Sequence, residues 1–252
     1  MPARHRLASR DTQVRNIFDR IAGRYDLLNR IISFRLDSLW RRKLIRALGL
    51  SGRPAWVLDM GTGTGALALD ACRVLAPGAR VVGVDFSRAM LQRAREQAVR
   101  TGAASRADYV LAHALAAPVR SEAFDAVMSA FVLRNVGDLQ SFFRESYRVL
   151  KPGGQVASLD MFPPPHGLFS HLYWLYFGRL MPRIGGVVSG DPSAYRYLSD
   201  SVRSFVSPET VAETLAGVGF VETGIRRYLR GAVCLHVATK PGPSPREEAT
   251  EP

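Results

Sequence analysis

Two segments near the start of the chain, 11–22 and 37–48, carry apolar residues at helical spacing. Val14, Ile17, Phe18 and Ile21 form the first stripe, and Leu39, Trp40, Leu44, Ile45 and Leu48 the second. They predict two amphipathic helices joined by GRYDLLNRIISFRLD, with SGRP as the break that follows. Beyond it the period changes. AWVLDM (55–60), RVVGVD (80–85), ADYVLA (107–112), FDAVMSAF (124–131) and GQVASLDMF (154–162) each read as a short buried strand. Helix-compatible stretches at 65–75, 87–101 and 138–150 lie between them, which predicts βαβ units and a mostly parallel sheet with helices on both faces. KPGG (151–154) reads as a turn into strand five.

The alternation then fails through PPPHGLFSHLYWLYFGRLMPRIGG and returns as helical patterns at 191–202 and 208–217. The apolar stretches 219–228 and 231–238 are too close for a crossover helix, so they pair as an antiparallel hairpin. The division that follows is a helical cap (1–50), a main domain (51–240) with a helical insertion at about 163–205, and a disordered Pro-, Glu- and Ser-rich tail (241–252).

VLDMGTGTG (57–65) ends a strand at Asp59 and alternates Gly61, Gly63 and Gly65 through a tight turn. Glycine serves where φ is positive or a ligand touches the backbone. The spacing is GxGxG, not the GxGxxG of dinucleotide sites. With Asp59 it suits S-adenosylmethionine, which has no phosphate and carries cationic amino and sulfonium groups. Thr64 belongs to the same loop. Asp85, at the end of strand two, stands where an acid binds ribose hydroxyls. At the end of strand three, His113 either contacts adenine, with Ala114 offering its N–H, or is a surface-loop histidine. Ser129 is placed to line the pocket near the methionine moiety.

FVLRNV (131–136) sets Arg134 and Asn135 at the carboxyl end of strand four, where ligands of open α/β sheets bind. Arg134 either meets a ligand there or pairs with a nearby acid.

With these pieces in order, the chain resembles the ubiquinone/menaquinone biosynthesis C-methyltransferase family over roughly residues 12–240. YDLLNRIISFRLDSLW (25–40), LDMGTGTG (58–65), FVLRNV and RVLKPGG (148–154) carry the resemblance, and YRYLSDSVRSF (195–205) adds to it. It implies a class I, Rossmann-like methyltransferase fold: a seven-stranded, mostly parallel sheet ending in the antiparallel hairpin. It also implies S-adenosylmethionine as cofactor and methyl transfer to a ring carbon of a prenylated hydroquinone, demethylmenaquinol or its ubiquinone-pathway equivalent. The family pattern is broken at six positions: the family usually has Met where this chain has Leu28, His at Asp37, an acid at Ala66, Gly at Val132, Glu at Asp160 and Ser at Phe162.

A phenol near pKa 10 must ionise for its ring carbon to become nucleophilic. Arg134 and Asn135 are the candidates to stabilise that anion and Tyr25 to cap the pocket; Asp160 (then His166) either acts as base or, for Asp160, caps the turn that follows it. The segment 168–182 is apolar well beyond one stripe, either as a channel for a prenyl chain or as a helix buried in the core or a homodimer.

Charge adds a partner. The net charge is +12, and among 34 basic residues only Lys43, Lys151 and Lys240 are lysines. Residues 1–50 hold +8 of the excess. This favours peripheral contact with an anionic membrane from the cytoplasmic side, or it is simply a solvated arginine-rich surface. MPARHRLASR is short for a transit peptide. An RNA methyltransferase is disfavoured, because strand four lacks the N/D-P-P-Y set; a methyltransferase of another small aromatic or polyketide, or an inactive cofactor-binding protein, are the other readings. Two cysteines outside any CxxC pair give no reason to expect a metal.

Overall fold

The computed structural model describes residues 2–181, 183 and 192–242, with side chains of 2–10, 28 and 192–195 excepted. The tail beyond 242 and the N-terminal arginines up to Arg10 therefore lie outside the described side chains. Three helices open the chain, α1 (Pro2–Ile21), α2 (Tyr25–Ile32) and α3 (Leu36–Ala47). The segment expected only to join two helices thus contains α2. Its apolar residues Leu27, Ile31 and Ile32 are spaced for a helix, but the run is only eight residues long.

The seven strands are β1 (Trp56–Met60), β2 (Arg80–Asp85), β3 (Ala107–Leu111), β4 (Phe124–Ala130), β5 (Leu150–Met161), β6 (Val221–Tyr228) and β7 (Val233–Thr239). Helices α4 (Ala66–Val74), α5 (Arg88–Arg100) and α6 (Leu139–Val149) connect the first five; α7 (Leu168–Leu175), α8 (Pro192–Arg203) and α9 (Pro208–Val218) precede the hairpin. The sheet order is β3-β2-β1-β4-β5-β7-β6. β1 to β5 run parallel, while β7 is antiparallel to both β5 and β6. KPGG is absorbed into β5 beside a register shift opposite Phe124 and Ala126, so the turn expected there is an irregular strand start. Among the described residues, no helix is long and apolar enough to cross a membrane.

Apolar side chains close both faces of the sheet. One layer joins Trp40, Leu44 and Ile45 of α3 to α4 and α5; the other packs Phe142 and Phe143 of α6 with Val211 and Leu215 of α9. The sheet therefore holds its C-terminal strand ends in fixed positions, and the loops there carry the site. At the end of β1, the N–H groups of Gly61 and Thr62 both donate to the Val84 carbonyl, at 2.8 and 3.0 Å. Gly61, Gly63 and Gly65 have φ of 76°, 55° and 80°, a region that L side chains rarely adopt.

The space around Gly61 is also taken. A Cβ there would stand 2.6 Å from a Val132 methyl carbon. Gly61→Ala is expected to lower stability in the absence of ligand by about 1–3 kcal/mol, part from overpacking and part from positive φ. Adding Val132→Gly should relieve only the overpacking part. Denaturant unfolding of the two single variants and the double variant measures this coupling; strictly additive losses would show that the two residues do not press on each other.

Candidate active site

Two cavities meet above the strand ends. The first is a cleft of about 690 Å³ bordered by Gly61, Gly63, Asp85, His113, Ala114 and Phe131, and roofed by Asp11, Val14 and Phe18 of α1. A polar recess of about 880 Å³ shares Gly61, Gly63, Ala130 and Phe131 with it, and adds Asp59, Thr64, Arg41 and Asp70. Together they form one trough over the glycine turn. α1 and α2 are pinned across it by carboxylates: Asp11 to His113 Nε2 at 3.2 Å, Asp19 to the Ser87 hydroxyl, and Asp26 to the Thr64 hydroxyl at 2.6 Å and the Gln97 amide.

The chain reverses where β4 ends. Phe131 has φ 64°, a strained value for an aromatic residue, and Leu133–Asn135 form a single 3-10 turn. This turn sends Arg134 inward. The guanidinium is 5 % exposed, and its Nη1 donates to Asp160 Oδ1 at 2.7 Å while its backbone N–H donates to Oδ2 at 3.2 Å. Burial alone would weaken its hold on the proton, but Asp160 and Tyr25 nearby more than offset that, so it stays charged. Asn135 donates to the Phe131 carbonyl at 3.3 Å and accepts from the Tyr197 hydroxyl at 3.0 Å.

Beyond Arg134 lies a larger chamber, about 1170 Å³, lined mostly by apolar and aromatic side chains, Ile32, Trp40, Met161, Phe169, Tyr173 and Phe177 among them. Tyr25 and Phe131 border both trough and chamber. Tyr25 is therefore the wall between them. Its hydroxyl is held protonated by burial, against the pull of Arg134 and a bond from Asn29. Arg134 faces the chamber and the next residue, Asn135, faces the cleft.

The sequence profile of the ubiE/COQ5 methyltransferase family matches residues 6–240. The chain belongs to the ubiE/COQ5 methyltransferase family. It is similar to a demethylmenaquinone methyltransferase of Thermus thermophilus, 44% identical over 89% of this chain and 100% of that protein. It is also similar to a ubiquinone/menaquinone biosynthesis C-methyltransferase of Geobacter sulfurreducens, 39% identical over 94% of this chain and 91% of that one. In fold it resembles an Aquifex aeolicus SAM-dependent methyltransferase, with TM-score 0.61, 18% identity and coverage of 82% and 92%. This ubiE/COQ5 protein is an S-adenosylmethionine-dependent methyltransferase.

The trough fits that donor. Asp59 Oδ1 is buried with no hydrogen-bond partner among the described residues, while Oδ2 accepts from Thr62 at 2.7 Å. A lone anionic oxygen there suits a cationic amino group. Gly63 has open space where a Cβ would stand, and its N–H holds Asp85 Oδ2 at 2.8 Å. Ser87 N–H holds Asp85 Oδ1 at 2.9 Å. Each carboxylate oxygen keeps a second acceptor site for a diol. Ala114 borders the cleft.

Three sequence expectations, on Ser129, Asp160 and His166, need correction, and that on His113 gains a condition. Ser129 lines neither trough nor chamber: its hydroxyl is 2.8 Å from that of Ser158 in the neighbouring strand, and Ala130 takes the cavity position. Both His113 nitrogens are engaged, Nδ1 by the Leu115 N–H at 3.1 Å and Nε2 by Asp11. Any adenine contact through the ring must therefore displace Asp11. Asp160 is fully buried, borders neither trough nor chamber, and accepts from Arg134 twice and from Met161 N–H at 2.7 Å, so it is the counter-ion of Arg134. His166 is exposed and borders neither cavity. The Thr64 hydroxyl is committed to Asp26, which makes it a tie to α2 as well as a wall of the recess.

Sequence reasoning also missed three features. The first is the positive φ of Phe131, which no residue type announces. The others are the Tyr173 ring and the role of Asp37. Asp37, flagged only as a departure, accepts from Arg41 at 2.6 Å and Ser33 at 2.8 Å, and Arg41 continues to Asp70 at 2.8 Å, bolting α3 to α4.

Burial pushes Asp59 up to about 7, with the Thr62 bond opposing and the like charge of Asp85 adding; burial likewise pushes Asp85 up to about 6. Raised acids stabilise the ligand-free fold at low pH, and that contribution is lost as pH rises from about 4 through about 7. A cationic donor selects the ionised carboxylates. Its affinity is therefore expected to rise between pH 5 and pH 7 and level off above, with proton release on binding at pH 6. Calorimetry in two buffers of different ionisation enthalpy measures both. Asp59→Asn should flatten the pH profile; a profile unchanged by that substitution would remove Asp59 from donor binding.

Proposed function

We propose that this enzyme methylates a ring carbon of a prenylated hydroquinone, demethylmenaquinol or its ubiquinone-pathway equivalent. One observation carries the reading: a buried, fixed guanidinium at the inner end of an apolar chamber, one residue from the donor cleft. The names of the relatives at 44% and 39% identity support the same substrate class. Bound in the trough, the donor supplies an electrophilic methyl carbon. Asp59 holds its amino end, Asp85 its ribose, and Tyr25 and Phe131 separate it from the chamber.

The chain's own part is the anion. A quinol hydroxyl entering the chamber meets a guanidinium whose orientation Asp160 fixes, so negative charge spreading onto the ring is met by donors already in place. Asp37, the one acid bordering the chamber among the described residues, is bonded to Arg41 and Ser33, and burial is overcome by Arg41 to keep it below the usual carboxylate range. Stabilisation of the anion, not a carboxylate base, is therefore the chamber's contribution. A flat, apolar ring with a long tail matches this lining; a polar RNA base does not. The N-terminal helices serve as the cap over donor and substrate, and α7 with its continuation and Leu198 of α8 as the chamber's outer wall.

Arg134 tests the reading. Arg134→Gln leaves Asp160 as a buried unpaired charge, so it should lose about 3–5 kcal/mol of stability as well as rate. The double variant Arg134→Gln/Asp160→Asn removes that charge and should recover most of the stability. Its kcat on demethylmenaquinol should stay about 10²–10³-fold down, as for a lost oxyanion donor, with donor affinity nearly unchanged. Arg134→Lys keeps the charge and loses the planar fork, so its fall should be smaller. Normal turnover by the folded double variant would make Arg134 architecture only.

We further propose that the chamber opens onto the cytoplasmic face of a membrane. Phe34, Leu172 and Leu229 line the chamber and are also exposed, Phe34 by 73 %, and Leu168, 78 % exposed, lies one turn before Leu172 on α7. Exposed Arg35 and Arg230 adjoin this rim in sequence. Apolar anchors among basic residues suit an anionic bilayer, with about 1 kcal/mol per nearby arginine. Co-sedimentation with anionic liposomes is expected to weaken steeply as salt rises, and Phe34→Asp with Leu168→Asp should reduce it at every salt concentration. Absence of binding, or dimerisation through the same residues in sedimentation velocity, would overturn the membrane assignment.

A further inference from the structure

Tyr173 is a polar residue of the chamber lining that the proposed chemistry leaves unused. Its ring is packed among other aromatic side chains. Phe169 and Phe177, one turn to either side on α7 and its continuation, lie at ring-centroid distances of 6.2 and 5.1 Å, the second nearly parallel at 11°. Trp174 packs edge-on at 5.2 Å, and the Arg203 guanidinium covers Trp174 at 4.7 Å. The Tyr173 hydroxyl is buried and has no hydrogen-bond partner among the described residues. An unmet buried hydroxyl costs stability that a phenylalanine would not. Tyr109 also has an unmet buried hydroxyl, but it sits against Gly65 and Ala94 in the core and borders no cavity. The Tyr173 ring instead lines the chamber, as Arg134 does.

Resting on the hydroquinone reading above, we propose that the Tyr173 hydroxyl donates a hydrogen bond to the substrate's second ring oxygen, the one Arg134 does not hold. The division follows from charge. A hydroquinone brings two ring oxygens into the chamber, and negative charge develops on one of them. That oxygen is served by the guanidinium. The other keeps a neutral character and is served by a neutral donor that does not ionise: burial raises the Tyr173 pKa well above that of free tyrosine, with Arg134 opposing. Two donors on two oxygens fix the ring in its plane, so the same ring carbon faces the cleft in every turnover. Tyr173 is then a substrate-binding residue that determines which carbon is methylated.

The substitution Tyr173→Phe decides it. In the ligand-free protein the melting temperature should hold or rise, because an unmet hydroxyl is removed. Donor affinity should not change. With demethylmenaquinol, kcat/KM should fall about tenfold, the size of one neutral hydrogen bond, and methylation at the wrong ring carbon should become detectable by mass spectrometry or NMR of the product. Binding followed by tryptophan fluorescence gives a readout without turnover. Affinity for 1,4-naphthohydroquinone should fall by a similar factor, whereas 1-naphthol, with a single ring oxygen, should bind both proteins equally. If the wild-type enzyme does not methylate demethylmenaquinol, the hydroquinone reading fails and this proposal falls with it. If wild type turns over and the variant matches it in kcat/KM and product, only the Tyr173 assignment is overturned. An equal loss of affinity for both ring compounds would also overturn it, placing the hydroxyl on the oxygen that Arg134 holds.

Discussion

A charge pair buried in the sheet, Arg134 with Asp160, sets the terms for everything around it. Removing two ions from water is expensive, and their mutual attraction offsets the cost only when geometry and accessory bonds are good. Here β5 supplies a carboxylate with no exposed surface, and the turn after β4 returns both a backbone N–H and a guanidinium to it. For that return the chain must reverse at Phe131, a non-glycine residue at positive φ. Strain of this kind persists where surroundings over-determine it. The Phe131 N–H is held by the Leu159 carbonyl at 2.7 Å and its carbonyl by Asn135, so the strained residue is clamped on both sides.

From that clamp the two cavities acquire their relation. Ala130 and Phe131 face the trough, Arg134 faces the chamber, and Tyr25 from α2 closes the gap between them. The cap has to be polar on the donor side and apolar on the other. Asp11, Asp19 and Asp26 supply the first property by reaching His113, Ser87 and Thr64, while Ile17 with Phe177, Met181 and Val202 supply the second. Each carboxylate tie is a partly exposed hydrogen bond rather than buried apolar area. The donor side of the cap is thus the side that can part at modest cost when the donor exchanges, whereas the apolar side stays packed.

The sheet was legible because its signal is local: short apolar runs at regular spacing, separated by helical patterns, leave few alternatives. Strand ends were correct within one residue for β1 to β4. α2 was missed because eight residues give barely two turns of pattern, and β5 was shortened because KPGG looks like a turn when its pairing with β4 and β7 is unknown. At the site, the glycine turn, Asp59, Asp85 and the Arg134–Asn135 pair could be read, since backbone need and charge at strand ends leave traces in residue type. Direction could not. Whether Ser129 or Ala130 meets the cavity depends on which of two neighbours faces it, and the reversal at Phe131 has no compositional mark. Asp160 was located correctly and misassigned in role, because the donors that occupy it come from a turn 26 residues away.

Four of the departures from the family pattern, Val132, Asp37, Phe162 and Asp160, have a local structural answer. Val132 packs its methyl groups against the bare Gly61 backbone, so the larger side chain occupies space that glycine vacates without entering the chamber. Asp37 completes an acid–arginine–acid chain from α3 to α4, a fastening role that a histidine could fill only when protonated. Phe162 is fully buried against Phe205 and His236, at 5.0 and 5.6 Å, outside both cavities. Asp160, shorter than the glutamate it replaces, still reaches Arg134 because the 3-10 turn brings the guanidinium and backbone N–H inward. Of the four, only Asp37 borders the chamber, and its carboxylate is committed to Arg41 and Ser33. The substitutions therefore alter how the walls are braced and leave the lining that a prenylated ring would meet mostly aliphatic and aromatic, with Arg134 and Tyr173 among its polar points of contact.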